Sequence, residues 1–152
     1  MTSSGKPVFL TGVSFTVAAK PIGKERPRVT RRGTYTPQKT RAYEAAVRAA
    51  FIEAVKGDRL FSRDRVVHAA VSICANFRVP VSWTNGKKAA AYNAFCTKKP
   101  DADNIAKAVC DALNGVAYPD DACIVSLTVD KYWSGEGEDD SVDVTVELWT
   151  AI

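Results

Sequence analysis

Lys98-Lys99-Pro100-Asp101-Ala102-Asp103-Asn104-Ile105-Ala106-Lys107, running on through Asp111-Ala112-Leu113-Asn114-Gly115 to Asp120-Asp121-Ala122-Cys123-Ile124, is the stretch on which the reading of this chain turns. Pro100 disfavours helical geometry at Lys99, so the chain should arrive extended. Asp101 or Asp103 can then cap a first helical turn, where free backbone N–H groups favour a negative side chain. Ile105, Val109 and Ala112, with Ala106, Cys110 and Leu113 beside them, recur at helical spacing and predict one apolar face. Asn104, Lys107 and Asp111 fall on another face, and Gly115 is a natural stop.

Taken singly, Asp101 and Asp103 read as helix caps and Asp120-Asp121 as a turn. Taken together they say more. One cap needs one carboxylate, and four acids close in sequence would repel one another if they converged without a cation. Hard divalent ions such as Mg²⁺ take oxygen ligands of this kind and leave water positions open for chemistry. A lysine among such carboxylates, here Lys107, can balance the charge of a phosphate in its transition state.

Outward from this stretch, the flanking segments predict a sheet with helices on it. Val13, Phe15 and Val17 alternate with polar neighbours as a half-buried strand. Tyr43, Ala46, Val47, Ala50, Phe51, Ala54 and Val55 mark a long amphipathic helix, with Thr40 as its cap and Gly57 as its end. Residues 65–79 are apolar on both faces, which predicts a central strand. A short helix is expected from about Lys87, a third strand over Ile124–Val129, and a last one from Val142 to Leu148. Residues 134–140 have the composition of a hairpin turn. The expected architecture is one domain over residues 1–152, of α/β or α+β class. It has a small mixed sheet of about four strands, helices packed on it, and an antiparallel C-terminal hairpin.

Between the first strand and the long helix lies a loop, about 20–40, with eight basic residues from Lys20 to Arg41 and one acid, Glu25. Lys24 belongs to it. Arg26, Arg28, Arg31 and Arg32 suit bidentate phosphate contacts, and Tyr35 could stack on a base or sugar. Lys98 and Lys99 extend the basic surface toward the carboxylates. The whole chain carries +4, which conceals a polarity. Residues 1–100 hold 19 Lys or Arg against 5 acids, and residues 101–152 hold 2 against 12. A basic half attracts a polyanion, and an acidic half can supply metal ligands.

At 152 residues the chain is long enough for a proper core. No apolar run approaches membrane-spanning length, and residues 1–6 lack the apolar stretch of a signal peptide, so the expected home is the cytoplasm. Cys74, Cys96, Cys110 and Cys123 form no Cys-x-x-Cys pair and read as free thiols. His68, the lone histidine, lies in a strand pattern and reads as a packing residue.

Lys-Pro-Asp-Ala-Asp-Asn-x-x-Lys, then Asp-Ala-Leu-Asn-Gly, then Asp-Asp and Lys131, resembles the signature of the RusA-type Holliday-junction resolvases. The likeness is densest over residues 98–131 and continues more loosely through Pro21 to Thr40. It implies a small homodimeric endodeoxyribonuclease that uses Mg²⁺, with Mn²⁺ able to substitute, and that acts on four-way DNA junctions. Asp101, Asp103, Lys107 and Asp121 would then be catalytic. Asp101, Asp103 and Asp121, with Asp120 as an additional or alternative ligand, would hold the metal. Where this chain has Cys123, family members often have Gln. Two other functions fit the same residues: a non-catalytic basic DNA-binding module, and a metal nuclease acting on other branched DNA or on RNA.

Overall fold

The computed structural model describes residues 5–25, 27–35 and 37–152. Its core is a four-stranded sheet of order β1-β6-β4-β5, with two helices on one face. β1 (Pro7–Val17) pairs antiparallel with β6 (Ser141–Ala151), and β6 pairs antiparallel with β4 (His68–Phe77). β5 (Ile124–Trp133) lies parallel to β4 on the other side. The mixed α/β sheet of four strands is as expected, with β4 in the interior. The terminal hairpin is not formed. β5 and β6 run in opposite directions, but β4 lies between them, so the two last strands share no ladder. Alternation predicts strands and leaves their neighbours open.

The helices bury what their spacing promises. In α1 (Gln38–Val55), Thr40, Tyr43, Val47 and Phe51 face inward, and Phe51 meets Phe15 of β1 and Phe61 edge-on. α2 (Asn85–Ala91) is a short helix whose first turn is capped by Thr84 Oγ1, which accepts from Lys87 N–H. In α3 (Ala102–Leu113), Ile105, Ala106, Ala108, Val109, Cys110, Ala112 and Leu113 are buried against α1 and the sheet. Gly115, at φ 76°, ends it. Short 3₁₀ turns occupy Arg63–Arg65 and Asp121–Cys123.

Two local expectations are corrected. α1 starts at Gln38, after Pro37, so Thr40 lies inside the first turn and caps nothing. Pro fits such a start because a helix leaves its first N–H groups unpaired anyway. The second lies in the basic loop, which contains a small hairpin of β2 (Arg28–Thr30) and β3 (Gly33–Tyr35). Gly33, at φ 119°, follows the two-residue tip.

Thr40 Oγ1 and Tyr43 Oη are both buried without a hydrogen-bond partner among the described residues. Burial pushes the Tyr43 phenol up to about 12. An unpaired buried hydroxyl costs its hydration and returns nothing. Thr40→Val should therefore leave the fold intact and raise the unfolding free energy by about 1 kcal/mol. Urea titration checks this, and a loss of stability would mean that the hydroxyl has a partner.

Candidate functional site

α3 is the spine of the site. Asp101 holds its N-cap position, yet its side chain makes no capping bond. The carboxylate instead accepts from Lys99 Nζ at 2.8 Å. That hydrogen bond and charge, with a smaller contribution from Lys131, hold the Asp101 carboxyl below its ordinary value. Asp120 likewise occupies the N-cap position of the Asp121–Cys123 turn without capping it. Helix and turn therefore leave both carboxylates free for other partners.

Burial of the apolar face turns Asp103, Lys107 and Asp111 outward, at i, i+4 and i+8 along one stripe about 12 Å long. With Asp121, Ile124, Leu127, Ala106 and Cys110, they line an open cleft of about 370 Å³ beside β5. Asp121 has its carboxyl raised, first by a hydrogen bond with Asp120, then by loss of hydration and by the charges of Asp120 and Asp111. Beneath the cleft, burial pushes the Cys110 thiol up to about 11, with help from Asp111 and Asp121. Tyr118 Oη donates to Cys110 O at 2.8 Å and ties the end of α3 to the segment leading to Asp121.

Of the residues expected in the site, Asp103, Lys107 and Asp121 share this cleft, and Asp120 touches Asp121. Asp101 is not on its lining and stands with Lys99 at the start of the helix. Among the described residues no three acids, cysteines or histidines are gathered closely enough to form a metal-holding cluster. Lys107 forms no ion pair among the described residues, unlike Lys24 and Lys99.

Asp111 is a cleft residue that sequence reading passed over. Its spacing from Lys107 was visible, but its partner was not. Lys24 forms a short hydrogen-bonded ion pair with Glu44 of α1 and lies 3.4 Å from Asp111. Burial alone would lower the Lys24 pKa, but Glu44 and Asp111 outweigh it and raise it above 10.5. The root of the basic loop is also seated by backbone. Lys24 N–H donates to Asn104 O at 3.2 Å, and a Cβ on Gly23 would stand 3.0 Å from Asn104 Cβ and 3.1 Å from Pro100 Cβ. Gly23 is thus the residue that lets the loop lie on the start of α3.

Basic walls flank this seat. Lys20, Lys24, Lys39 and Lys99 line one cleft of about 360 Å³, and Lys20, Arg78 and Lys98 line another of about 270 Å³. Lys20 joins the two, so Lys20, Lys39 and Arg78 become candidates that the sequence reading left unassigned. Arg31 and Arg32 are exposed at the tip of the β2–β3 hairpin. Arg26 lies outside the described residues, as do the side chains of Arg28 and Tyr35.

The fold and cleft are those of a small α/β protein that presents carboxylates and a lysine beside a basic surface. The family model for endodeoxyribonuclease RusA matches residues 18–147, and the chain belongs to that family. It is also similar to the uncharacterized protein YqaN of Bacillus subtilis (strain 168). The two are 32% identical over 131 residues, covering 82% of this chain and 89% of that protein.

The Lys24 bridge has a measurable signature. Lys24→Met leaves Glu44 and Asp111 facing each other without a cation and should cost about 1–3 kcal/mol of stability at pH 7. The folded-state pKa of Lys24 is raised, so the wild-type advantage is complete below pH 10.5 and disappears as pH climbs above it. Paired denaturant titrations at neutral and strongly alkaline pH would show this, and a difference independent of pH would rule out the bridge as its source.

Proposed function

We propose that this chain is a divalent-metal-dependent endodeoxyribonuclease that resolves four-way DNA junctions by paired nicks. The observation that carries this reading is Lys107, a cation without an ion-pair partner between Asp103 and Asp111 and in one open cleft with Asp121. A lysine so placed among acids would gain from pairing with any one of them. Left unpaired, it is available to an incoming anion.

The donor set suits a hard cation. All its members are carboxylates at exposed positions, and the raised Asp121 carboxyl reflects acids that lack a compensating charge. Asp101, Asp103 and Asp121, with Asp120 in addition or as an alternative, would hold Mg²⁺, with Mn²⁺ able to substitute. When bound, such an ion supplies Lewis acidity toward phosphoryl oxygens and makes water a usable nucleophile at neutral pH. Lys107 sets its ammonium against the extra negative charge of the five-coordinate phosphorus. Asp101 gives up its bond to Lys99 on joining the donors, which frees that ammonium for a phosphate. Lys24, Arg26, Arg28, Arg31, Arg32 and Lys99 contribute backbone contacts, whose affinity falls with salt as counterions are no longer released.

A four-way junction is nearly two-fold symmetric, and cuts in opposed strands need two sites in related geometry, so the working form is a homodimer. The four free thiols suit a reducing compartment, the cytoplasm. No helix among the described residues is long and apolar enough to cross a membrane.

Asp103→Asn should bind a synthetic four-way junction as the wild type does while cleaving it at least about 100-fold more slowly in Mg²⁺. Gel-shift and single-turnover cleavage on one preparation test this, and wild-type cutting by the variant would remove Asp103 from the site. EDTA should stop cleavage and spare binding. Competition among junction, flap, duplex and RNA should favour the junction, and preference for another substrate would replace this reading with that one.

A further inference from the structure

The outer edge of β5 is unpaired along its first half and covered along its second. Segment 93–96 lies on it through three backbone hydrogen bonds. Asn93 N–H donates to Trp133 O at 3.1 Å, Trp133 N–H to Ala94 O at 2.8 Å, and Cys96 N–H to Lys131 O at 3.0 Å. This sets the Phe95 ring on Tyr132, with centroids 5.1 Å apart and planes 24° apart. Phe95 is nevertheless 73% exposed. The other stacked or crossed rings of the molecule differ from it. Phe15, Phe51 and Phe61 serve the core, and Phe9 meets Trp149 edge-on rather than flat.

A phenylalanine that keeps three-quarters of its surface in water gains little from the apolar effect. Its backbone is held on both sides, so the ring is presented flat and in place. The surroundings are cationic. Lys98 and Lys99 follow within four residues, and Lys131, next to Tyr132, donates to Lys98 O at 2.5 Å. Lys98 shares a cleft with Lys20 and Arg78, and Lys99 abuts Asp101 at the start of α3. A flat apolar ring amid positive charge fits a ligand that is aromatic and anionic together, which describes a nucleotide.

We propose that Phe95, backed by Tyr132, is a stacking platform for a nucleobase that has lost a neighbour at a DNA branch point. Lys98, Lys99 and Lys131 take the flanking phosphates. This rests on the junction-binding function proposed above and deepens it, because it supplies a way to prefer a branch over continuous duplex. Bases inside a duplex are covered on both faces, whereas one at a branch can offer a face. Stacking tolerates any base sequence because each base has a π-face.

The test uses the full chain in EDTA, which prevents cleavage, and a four-way junction carrying 2-aminopurine beside the branch. Wild type should quench the 2-aminopurine emission on binding. Phe95→Ala should bind the junction about tenfold more weakly and lose the quench, while its affinity for continuous duplex stays the same. Phe95→Trp should restore both. Phe95 is exposed, so the melting temperature of Phe95→Ala should match wild type, and the tryptophan variant separates ring loss from misfolding. Equal junction affinity and equal quench in Phe95→Ala would overturn the platform alone. A change in self-association with the base signal intact would assign the ring to a protein contact and also overturn it. Failure of the wild type to bind the junction at all would overturn the junction reading and this one together.

Discussion

The buried face of α3 decides where the chemistry stands. Ile105, Ala108, Val109, Ala112 and Leu113 are fully removed from solvent between α1 and the sheet. Each large apolar side chain so buried contributes about 1.5–3 kcal/mol, and rotating the helix by one residue would expose several at once. Repulsion among exposed acids is screened by water and amounts to far less. Packing therefore wins, and Asp103, Lys107 and Asp111 face the cleft whatever their mutual electrostatics. The cost appears locally, in a raised Asp121 carboxyl and a Lys24 drawn in beside Asp111.

The parallel pairing of β4 and β5 sets the direction of that stripe. Parallel neighbours need a crossover of a dozen residues or more, and residues 78–123 provide it, with α2 and α3 inside. α3 must run back along the sheet, so its start meets the far end of β5 and its end meets the beginning. Lys131 near the end of β5 accordingly reaches Lys98 O, whereas Asp121 just before β5 feels Asp111. The acids of the long motif are thus spread along a helix about 18 Å long. Asp101 and Lys99 stand at one end, and Asp120 and Asp121 at the other.

Charge is arranged by the same connections. The basic segment after β1 is seated on the start of α3 at Gly23 and pinned by Lys24, which brings Lys20, Lys39 and Lys99 around one cleft. A chain whose first two-thirds is basic and whose last third is acidic could have mixed its charges evenly over the surface. Here the basic loop and the acidic helix are adjacent, which places phosphate-binding groups beside carboxylates.

Much of this was legible from residue order. The 3.6-residue period of Ile105, Val109 and Ala112 and the alternation of Val142, Val144, Val146 and Leu148 identified their buried faces, because local geometry ties side-chain direction to sequence spacing. The pairing of Asp103 with Lys107 on one helical face followed from the same rule. Partners distant in sequence did not follow. Strand alternation is blind to sheet order, so β4 between β5 and β6 came only from tertiary structure. So did Lys24 joining Glu44 to Asp111, and Phe95 lying on Tyr132, contacts 20, 87 and 37 residues apart. Sequence by itself determined which side of each element is buried and which residues carry the chemistry. Tertiary structure decided which of them meet, because meeting depends on crossovers and packing that no local period encodes.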